Sequence, residues 1–140
     1  MIAESLSDSD AWFDGRARGF SLTRHQDPRG ALLPLALEQL PFAVRRVFAV
    51  AGVPPGTVRG GHAHRSGWQL LVCVSGALQV RLHCAGQEVR RQLSDVGPGL
   101  LIGAGVWAEQ TYVDPHTVLL VACSEDYDPS SYVTGKAAQA

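Results

Sequence analysis

Glycine and proline residues divide the whole chain into short apolar stretches. The 140 residues include 15 Gly and 8 Pro, and turn signals such as Asp27-Pro28-Arg29-Gly30 recur roughly every ten residues, a spacing typical of all-β proteins. The stretches between the turns are rich in Val, Leu and aromatic residues, and none of them sustains the periodicity of a helix. The sequence therefore predicts an all-β fold.

Two of the predicted strands indicate how the sheets are buried. The segment Leu78–Cys84 alternates between apolar and polar residues, which is typical of a half-buried strand. The segment Val118–Cys123 is apolar on both faces, which favours a strand in the middle of a closed barrel or a stacked pair of sheets. The full set of predicted strands is Phe20–Arg24, Ala31–Ala36, Ala43–Ala51, Trp68–Ser75, Leu78–Cys84, Gln87–Leu93, Leu100–Ile102, Trp107–Val113 and Val118–Cys123.

The composition favours a single soluble domain. Hydrophobic residues make up 46% of the chain and charged residues 18%, a balance that supports a large buried core and excludes intrinsic disorder. The net charge is -1, from 12 Lys and Arg against 13 Asp and Glu, so charge gives no reason to expect a nucleic-acid or membrane partner. The first twenty residues lack the apolar segment of a signal peptide, and no apolar run reaches the roughly 18 residues of a membrane span.

We expect the folded domain to cover residues 19–133. The segment 1–18 is predicted to be partly flexible, with its first dozen residues loosely tethered, and residues 134–140 are predicted to form a flexible tail. The three cysteines Cys73, Cys84 and Cys123 are an odd number, widely spaced, and each lies in an apolar stretch. This pattern favours buried free thiols in a reducing, cytoplasmic environment over disulfides or a zinc site.

The most informative segment is Gly56-Thr-Val-Arg-Gly-Gly-His-Ala-His, which is followed by Gln69 and Gly76. Histidines two residues apart on a strand point to the same side, so His62 and His64 can reach one cavity together. A pair of solvent-facing histidines on an edge strand is the alternative. The glycines on either side of the pair make that alternative weaker.

This segment resembles the first cupin motif, in which two histidines and a glutamate bind a metal ion. Gln69 stands where the glutamate would be, and Ala108 stands where the second cupin motif would supply a third histidine. The resemblance implies a single-domain jelly-roll β-barrel. Two imidazoles and one amide are a poor ligand set for a divalent ion, so we expect no metal. The histidines are then available for proton transfer near neutral pH.

A longer series of motifs is similar to the WxcM-like sugar 3,4-ketoisomerases. The motifs, which begin at Asp27, are D-x-R-G, P-F-x-x-x-R, R-G-x-H-A-H, Q-x-L-V-C-x-x-G, A-x-x-W and Y-D-x-x-x-Y, and the resemblance covers about Gly19 to Val133. The resemblance implies isomerisation of a dTDP-4-keto-6-deoxyhexose to its 3-keto isomer, without a metal or organic cofactor, in deoxy- or amino-sugar biosynthesis. It also implies a homodimer with exchanged N-terminal strands.

The resemblance also implies roles for individual residues. His62 and His64 become the proton-transfer pair, with His64 favoured as the residue nearest the transferred proton. Arg46 and Arg59 would bind the diphosphate, because guanidinium groups donate in pairs to phosphate. Gln69 would hydrogen-bond the sugar, and Trp107 would form a flat wall of the cavity, although core packing is an equally good interpretation of Trp107. Tyr127, Asp128 and Tyr132 are interpreted as packing and dimer contacts.

The chain departs from the family pattern at several positions. Phe48 and Ala49 stand where tyrosines are usual, and Ala108 replaces a histidine, so a phenol and an imidazole are missing near the cavity. Gly61 and Ala108 predict a roomier cavity. Three alternatives stay open. They are a catalytically inactive or divergent cupin that binds a nucleotide sugar or other small carbonyl ligand, a metal-dependent cupin enzyme, and an epimerase or isomerase that acts on another carbonyl substrate.

Overall fold

The computed structural model describes residues 3–134, which form two packed antiparallel sheets and a separate hairpin. In chain order the strands are β1 (Ala11–Trp12), β2 (Ala17–Phe20), β3 (His25–Asp27), β4 (Gly30–Leu32), β5 (Arg46–Val50), β6 (Val58–His64), β7 (Trp68–Ser75), β8 (Ala77–Cys84), β9 (Gln87–Ser94), β10 (Gly99–Gly103), β11 (Trp107–Tyr112), β12 (Val118–Cys123) and β13 (Tyr132–Thr134). The six-stranded sheet has the order β1-β2-β10-β7-β12-β5, the five-stranded sheet has the order β13-β6-β11-β8-β9, and β3 pairs with β4. The predicted all-β, jelly-roll architecture is confirmed.

The main core lies between the two sheets. Strand β8 contributes the four apolar residues predicted from its alternation, and they are between 0% and 4% exposed. They pack against Leu71 of β7 and Leu119 of β12, which are also almost fully buried. Burying a leucine side chain contributes roughly 1.5–3 kcal/mol, so this layer supplies much of the free energy that holds the two sheets together.

A second apolar layer covers the outer face of the six-stranded sheet. Leu70, Val72 and Ala122 point to this face, where Phe42 and neighbouring apolar residues of the segment 33–44 pack over them. Strands β7 and β12 are therefore buried on both faces. This packing explains why the segment Val118–Cys123 is apolar throughout and confirms its predicted place inside a sheet, between β7 and β5.

The structure corrects three predicted strands near the N-terminus. Most of Phe20–Arg24 lies outside a strand, because β2 ends at Phe20 and the Arg24 guanidinium binds backbone carbonyls of the core sheet instead. The predicted strand Ala31–Ala36 is reduced to β4, since Pro34 has no N–H to donate. The predicted strand Ala43–Ala51 is longer than β5. Strands β1, β3 and β13 are missing from the predicted set, because segments of two or three residues are too short to show alternation. Strand β6 is also missing from that set, although His62 and His64 were expected to lie on a strand.

The expectation of a loosely tethered N-terminus is wrong for residues 3–12. The backbone N–H of Leu6 donates to the carbonyl of Gln92 at 3.0 Å, and the Leu6 side chain is only 5% exposed. Strands β1 and β2 then extend the six-stranded sheet, so the segment before residue 19 is part of the fold. The tail predicted to be flexible falls, except for Thr134, outside the described residues.

Two further predictions concern the thiols and membrane spans. Cys73, Cys84 and Cys123 are all free and buried, as predicted. Within residues 3–134 the helices are two short 3-10 segments, Leu37–Gln39 and Pro129–Ser131. Neither of these helices approaches the length and apolar character needed to cross a membrane.

Candidate active site

A bulge in β6 brings the histidine pair and Arg59 to one side of the sheet. His62 pairs with Ala108 of β11, but the next pair is Gly60 with Glu109, so β6 contains one extra residue, Gly61. Gly60 and Gly61 both have a positive φ, of +83° and +82°, in the region that favours glycine. Strict alternation would turn Arg59 away from His62. The extra residue restores Arg59 to the inner face.

The inner face of β6 borders a cavity of about 290 Å³ between the two sheets. Aliphatic side chains of the six-stranded sheet line one part of it, and Leu71, Leu119 and Val121 among them are almost fully buried. The polar lining residues are Arg46, Arg59, His62, Gln69, Gln110, Tyr127 and Tyr132. A cavity of this size, with an apolar lining and a few polar groups, has the form of a small-molecule site.

The two histidines occupy different positions relative to this cavity. His62 lines the cavity, whereas His64 lines a small adjoining recess with Ser66 and Glu125. The centroids of the two imidazoles are 5.2 Å apart. The Nε2 atom of His64 is buried and has no hydrogen-bond partner among the described residues. The structure therefore places His62 against the cavity, rather than the favoured His64.

The surroundings of both imidazoles favour their neutral forms. Burial lowers the pKa of His62 below its ordinary 6.5, and contact with the Gly60 backbone offsets part of this effect. Burial also lowers the pKa of His64, to about 4, and the positive charge of Arg46 and of His62 when it is protonated lowers it further, while Glu125 opposes them. A neutral imidazole can accept a proton from a substrate. His62 has the right form and position for a general base.

Arg46 is the cationic residue of β5 that enters the cavity. Its guanidinium lies between the rings of Phe48 and Tyr127, with its carbon 5.0 Å and 5.2 Å from their centroids. The adjacent Arg45 points the other way and pairs with Asp126 on the surface. Because Arg59 lines the same cavity, two guanidinium groups are available to an anionic ligand.

Gln69 lies on β7 between the cavity and the recess, and it lines both. Its Nε2 atom donates to the Sγ of Cys123 at 3.6 Å, and the Nη2 atom of Arg46 donates to the same sulfur at 3.7 Å. The buried thiol is thus a common acceptor for two polar residues of the site. The sequence had predicted only that Cys123 is buried.

The expectation that Trp107 forms a wall of the cavity is wrong. Ala108 faces the core on β11, so Trp107 lies on the opposite, outer face of the five-stranded sheet. There it is 3% exposed and packs against Ala63 and Val133, with the Arg81 guanidinium 4.6 Å from its ring centroid. Of the two interpretations of Trp107, packing is the one that agrees with its position.

Three cavity residues were not predicted as site residues. Gln110 is two residues after the inward-facing Ala108, so alternation along β11 could have identified it. Tyr127 and Tyr132 belong to the Y-D-x-x-x-Y motif, which the sequence assigned to packing and dimer contacts. Tyr132 enters the cavity because β13 pairs with β6 and places it opposite His64. The three-residue strand gave no periodic signal for that pairing.

The donor groups near the cavity differ from those that hold a metal ion. Within residues 3–134 no group of three or more His, Cys, Asp and Glu side chains is arranged to hold one. Gln69 lines the cavity as a neutral amide, and Ala108 is 9% exposed within the core. In the cavity that His62 lines, the other polar groups are guanidinium, amide and phenol.

A jelly-roll barrel with polar groups facing its interior defines the class of small β-barrel proteins with the cupin fold. The chain belongs to the WxcM-like (FdtA) family, whose C-terminal domain model matches residues 17–138. A curated relative, the TDP-4-oxo-6-deoxy-alpha-D-glucose-3,4-oxoisomerase of Aneurinibacillus thermoaerophilus, is 31% identical over 108 residues, covering 76% of this chain and 78% of the relative.

Solved structures of similar enzymes share the fold. A histidine-to-asparagine mutant of the 3,4-ketoisomerase QdtA of Thermoanaerobacterium thermosaccharolyticum, crystallised in complex with TDP-4-keto-6-deoxyglucose, is 30% identical with a TM-score of 0.82, covering 87% of this chain and 89% of QdtA. The TDP-quinovose 3,4-ketoisomerase WlaRB of Campylobacter jejuni is 29% identical with a TM-score of 0.78, covering 86% of this chain and 94% of WlaRB.

Proposed function

We propose that this chain is a sugar 3,4-ketoisomerase that converts a dTDP-4-keto-6-deoxyhexose into the dTDP-3-keto isomer. The observation that carries the proposal is a neutral His62 in the same cavity as the guanidinium groups of Arg46 and Arg59. A proton-transfer group and a diphosphate-binding pair are the two elements this reaction needs. The relatives named for 3,4-ketoisomerisation of TDP sugars support this substrate class.

The reaction moves two protons and leaves the atoms and electrons of the sugar unchanged in number. The C4 carbonyl acidifies the C–H bond at C3, and a base removes that proton. The electron pair forms a C3–C4 double bond, and O4 takes a proton to give an enediol. O3 then loses its proton while C4 gains one, which produces the 3-keto sugar. We assign the C3 proton to His62, because its imidazole is neutral and lines the cavity.

His64 has a supporting position next to His62. Its Nε2 atom is buried without a partner in the described chain, and the recess it lines also contains Ser66 and Glu125. We propose that His64 takes part in returning the proton to the sugar. Gln69 is proposed to hydrogen-bond a sugar oxygen, since an amide can both donate and accept.

Arg46 and Arg59 are proposed to bind the diphosphate. They enter the cavity from β5 and from the bulge of β6, so one ligand can contact both guanidinium groups. A hydrogen bond to a charged group contributes roughly 1.5–3 kcal/mol. Nucleotide binding would therefore depend on both residues, while proton transfer would depend on the histidines.

Incubation with dTDP-4-keto-6-deoxyglucose in heavy water, followed by proton NMR, tests the proposed function. We expect the 3-keto product with deuterium at the carbon that receives the new proton, and its configuration at C4 reveals the stereochemistry. His62→Asn should slow the reaction by roughly a hundredfold to ten-thousandfold. Tight binding of dTDP without turnover of any keto sugar would instead indicate a binding protein.

We also propose a homodimer that exchanges N-terminal strands. The β3–β4 hairpin pairs only with itself in the described chain, all six of its residues are exposed, and Leu32 is 64% exposed. An unpaired hairpin that exposes Leu32 is suited to contact a second copy. Light scattering at micromolar concentration should give twice the monomer mass, and a monomer mass would refute the dimer.

The three buried free thiols support a cytoplasmic location.

A further inference from the structure

Tyr132 contacts both histidines of the candidate site. Its ring lies parallel to the His62 imidazole, with centroids 4.4 Å apart and an interplanar angle of 3°. It meets the His64 imidazole edge to face, with centroids 4.7 Å apart and an angle of 75°. One phenol ring therefore limits the orientation of both imidazoles.

The backbone fixes this arrangement. Strand β13 pairs with β6 so that Tyr132 lies opposite His64 and Thr134 lies opposite His62. Arg65 extends the connection, because its N–H donates to the carbonyl of Ser131 at 2.8 Å. Tyr132 is thus attached to the strand that carries the histidines, rather than to a remote part of the chain.

We propose that Tyr132 is a positioning residue for proton transfer, whose ring holds the His62 imidazole in its reactive orientation and covers one face of it. This inference rests on the proposed function for its kinetic consequence. A stacked ring restricts rotation of the imidazole about its Cβ–Cγ bond, so fewer orientations compete with the productive one. Small displacements of a catalytic group reduce rates strongly, because proton transfer requires hydrogen-bond distance.

The ring also explains part of the burial of His62. A half-buried phenol placed flat on the imidazole excludes water from that face, and loss of water disfavours the charged imidazolium. The other titratable or charged groups that border the histidines are Arg59 of β6, Arg46 of β5, Cys123 of β12, and Glu125, Asp126 and Tyr127 of the segment before β13. Removing the Tyr132 ring should therefore raise the pKa of His62 toward 6.5, while those groups stay in place.

Tyr132→Leu and Tyr132→Phe separate the ring from its hydroxyl group. Leucine removes the flat surface, whereas phenylalanine keeps it. Val133→Ala is the matched control for a weakened β13, because Val133 is on the same strand but packs toward Trp107 on the outer face. The three variants distinguish stacking on His62 from a general loosening of the strand.

The first measurement is the pKa of the His62 ring by NMR, with no substrate present. We expect this pKa to rise in Tyr132→Leu and to stay at the wild-type value in Tyr132→Phe and Val133→Ala. An unchanged pKa in Tyr132→Leu, or a rise of equal size in Val133→Ala, would refute the positioning role. This measurement does not depend on the identity of the substrate.

The second measurement is kcat, KM and the pH profile of kcat/KM with the 4-keto sugar nucleotide. Tyr132→Leu should lower kcat at least about tenfold, with KM changed by less than about threefold, and should move the acid limb of the profile to higher pH. Tyr132→Phe should restore both. Wild-type kcat in Tyr132→Leu would overturn the inference. Absence of isomerisation by the wild-type protein would overturn the proposed function, and the NMR measurement would still test the contact.

Discussion

Arg59 lies directly opposite Gln110 across the β6–β11 pair, on the sheet face that also carries His62. This relationship depends on one extra residue in β6, since Arg59 and His62 are three positions apart and would otherwise point to opposite faces. The two glycines of the bulge have positive φ. The bulge therefore determines that the Arg59 guanidinium faces the cavity.

Gly60→Ala should therefore weaken both stability and nucleotide binding. An alanine at this position would have to adopt the left-handed backbone conformation of Gly60. Its Cβ would lie 3.0 Å from the carbonyl oxygen of Ala108 and 3.3 Å from the Gln110 amide. The conformation alone costs roughly 1–2 kcal/mol, and the contacts require β6 to shift. We expect weaker dTDP binding by calorimetry and a lower melting temperature.

Gly86→Ala is the control for that variant. Gly86 also has a positive φ, of +78°, but a Cβ there meets no atom within 4 Å, and it lies in the turn between β8 and β9, outside the cavity lining. It should lower the melting temperature without changing the affinity for dTDP. An equal loss of affinity in both variants would contradict the role assigned to the bulge.

Arg46 and Arg45 provide a second matched pair. Arg46→Gln removes a guanidinium from the cavity and should raise the dissociation constant of dTDP roughly tenfold to a hundredfold, the equivalent of one charge-assisted contact. Arg45→Gln removes the same group from an exposed pair with Asp126, which contributes little to stability or binding. Calorimetry at constant ionic strength should detect a change only for Arg46→Gln, and equal affinities for the two variants would contradict diphosphate binding by Arg46.

Most of the barrel could be predicted because its strands obey simple rules. Strands β7 to β12 are five to eight residues long, alternate or are buried on both faces, and end at Gly or Pro turns, and their predicted bounds agree with the structure to within about one residue. The N-terminal strands are short, and the apolar residues that follow β4 pack over the outer face of the sheet without forming a strand. Apolar residues there indicate burial but do not indicate pairing.

The site was harder to predict than the barrel for reasons of geometry. Motif spacing identified His62, Arg46, Arg59 and Gln69, which all line one cavity. It failed for Trp107, because a motif does not say which face of the strand each residue occupies. Tyr132 enters the site through long-range pairing of a three-residue strand with β6. No local pattern in a sequence encodes that pairing.

Cys123→Ala should raise KM more than it lowers kcat. The substitution removes the sulfur that accepts hydrogen bonds from Arg46 and Gln69, so two groups proposed to bind substrate lose a common anchor while His62 keeps its contacts. We expect KM to rise about threefold to tenfold.

Cys84→Ala is the control, since Cys84 is 4% exposed in the main core and lies outside the cavity lining. It should lower stability and leave KM unchanged. A KM for Cys123→Ala equal to that of Cys84→Ala would contradict the anchor.

The lowered pKa of His64 predicts how stability depends on pH. His64 has a pKa of about 4 in the folded chain against 6.5 ordinarily, so between these values the unfolded chain binds the additional proton. The stabilising contribution is complete above about pH 6.5 and is lost as pH falls toward about 4. Urea unfolding at neutral pH and near pH 4.5 should show a smaller loss of stability for His64→Gln than for the wild type. His116→Gln, at an exposed position, should keep the wild-type dependence. An equal loss for His64→Gln and the wild type would show that His64 is not buried as a neutral imidazole.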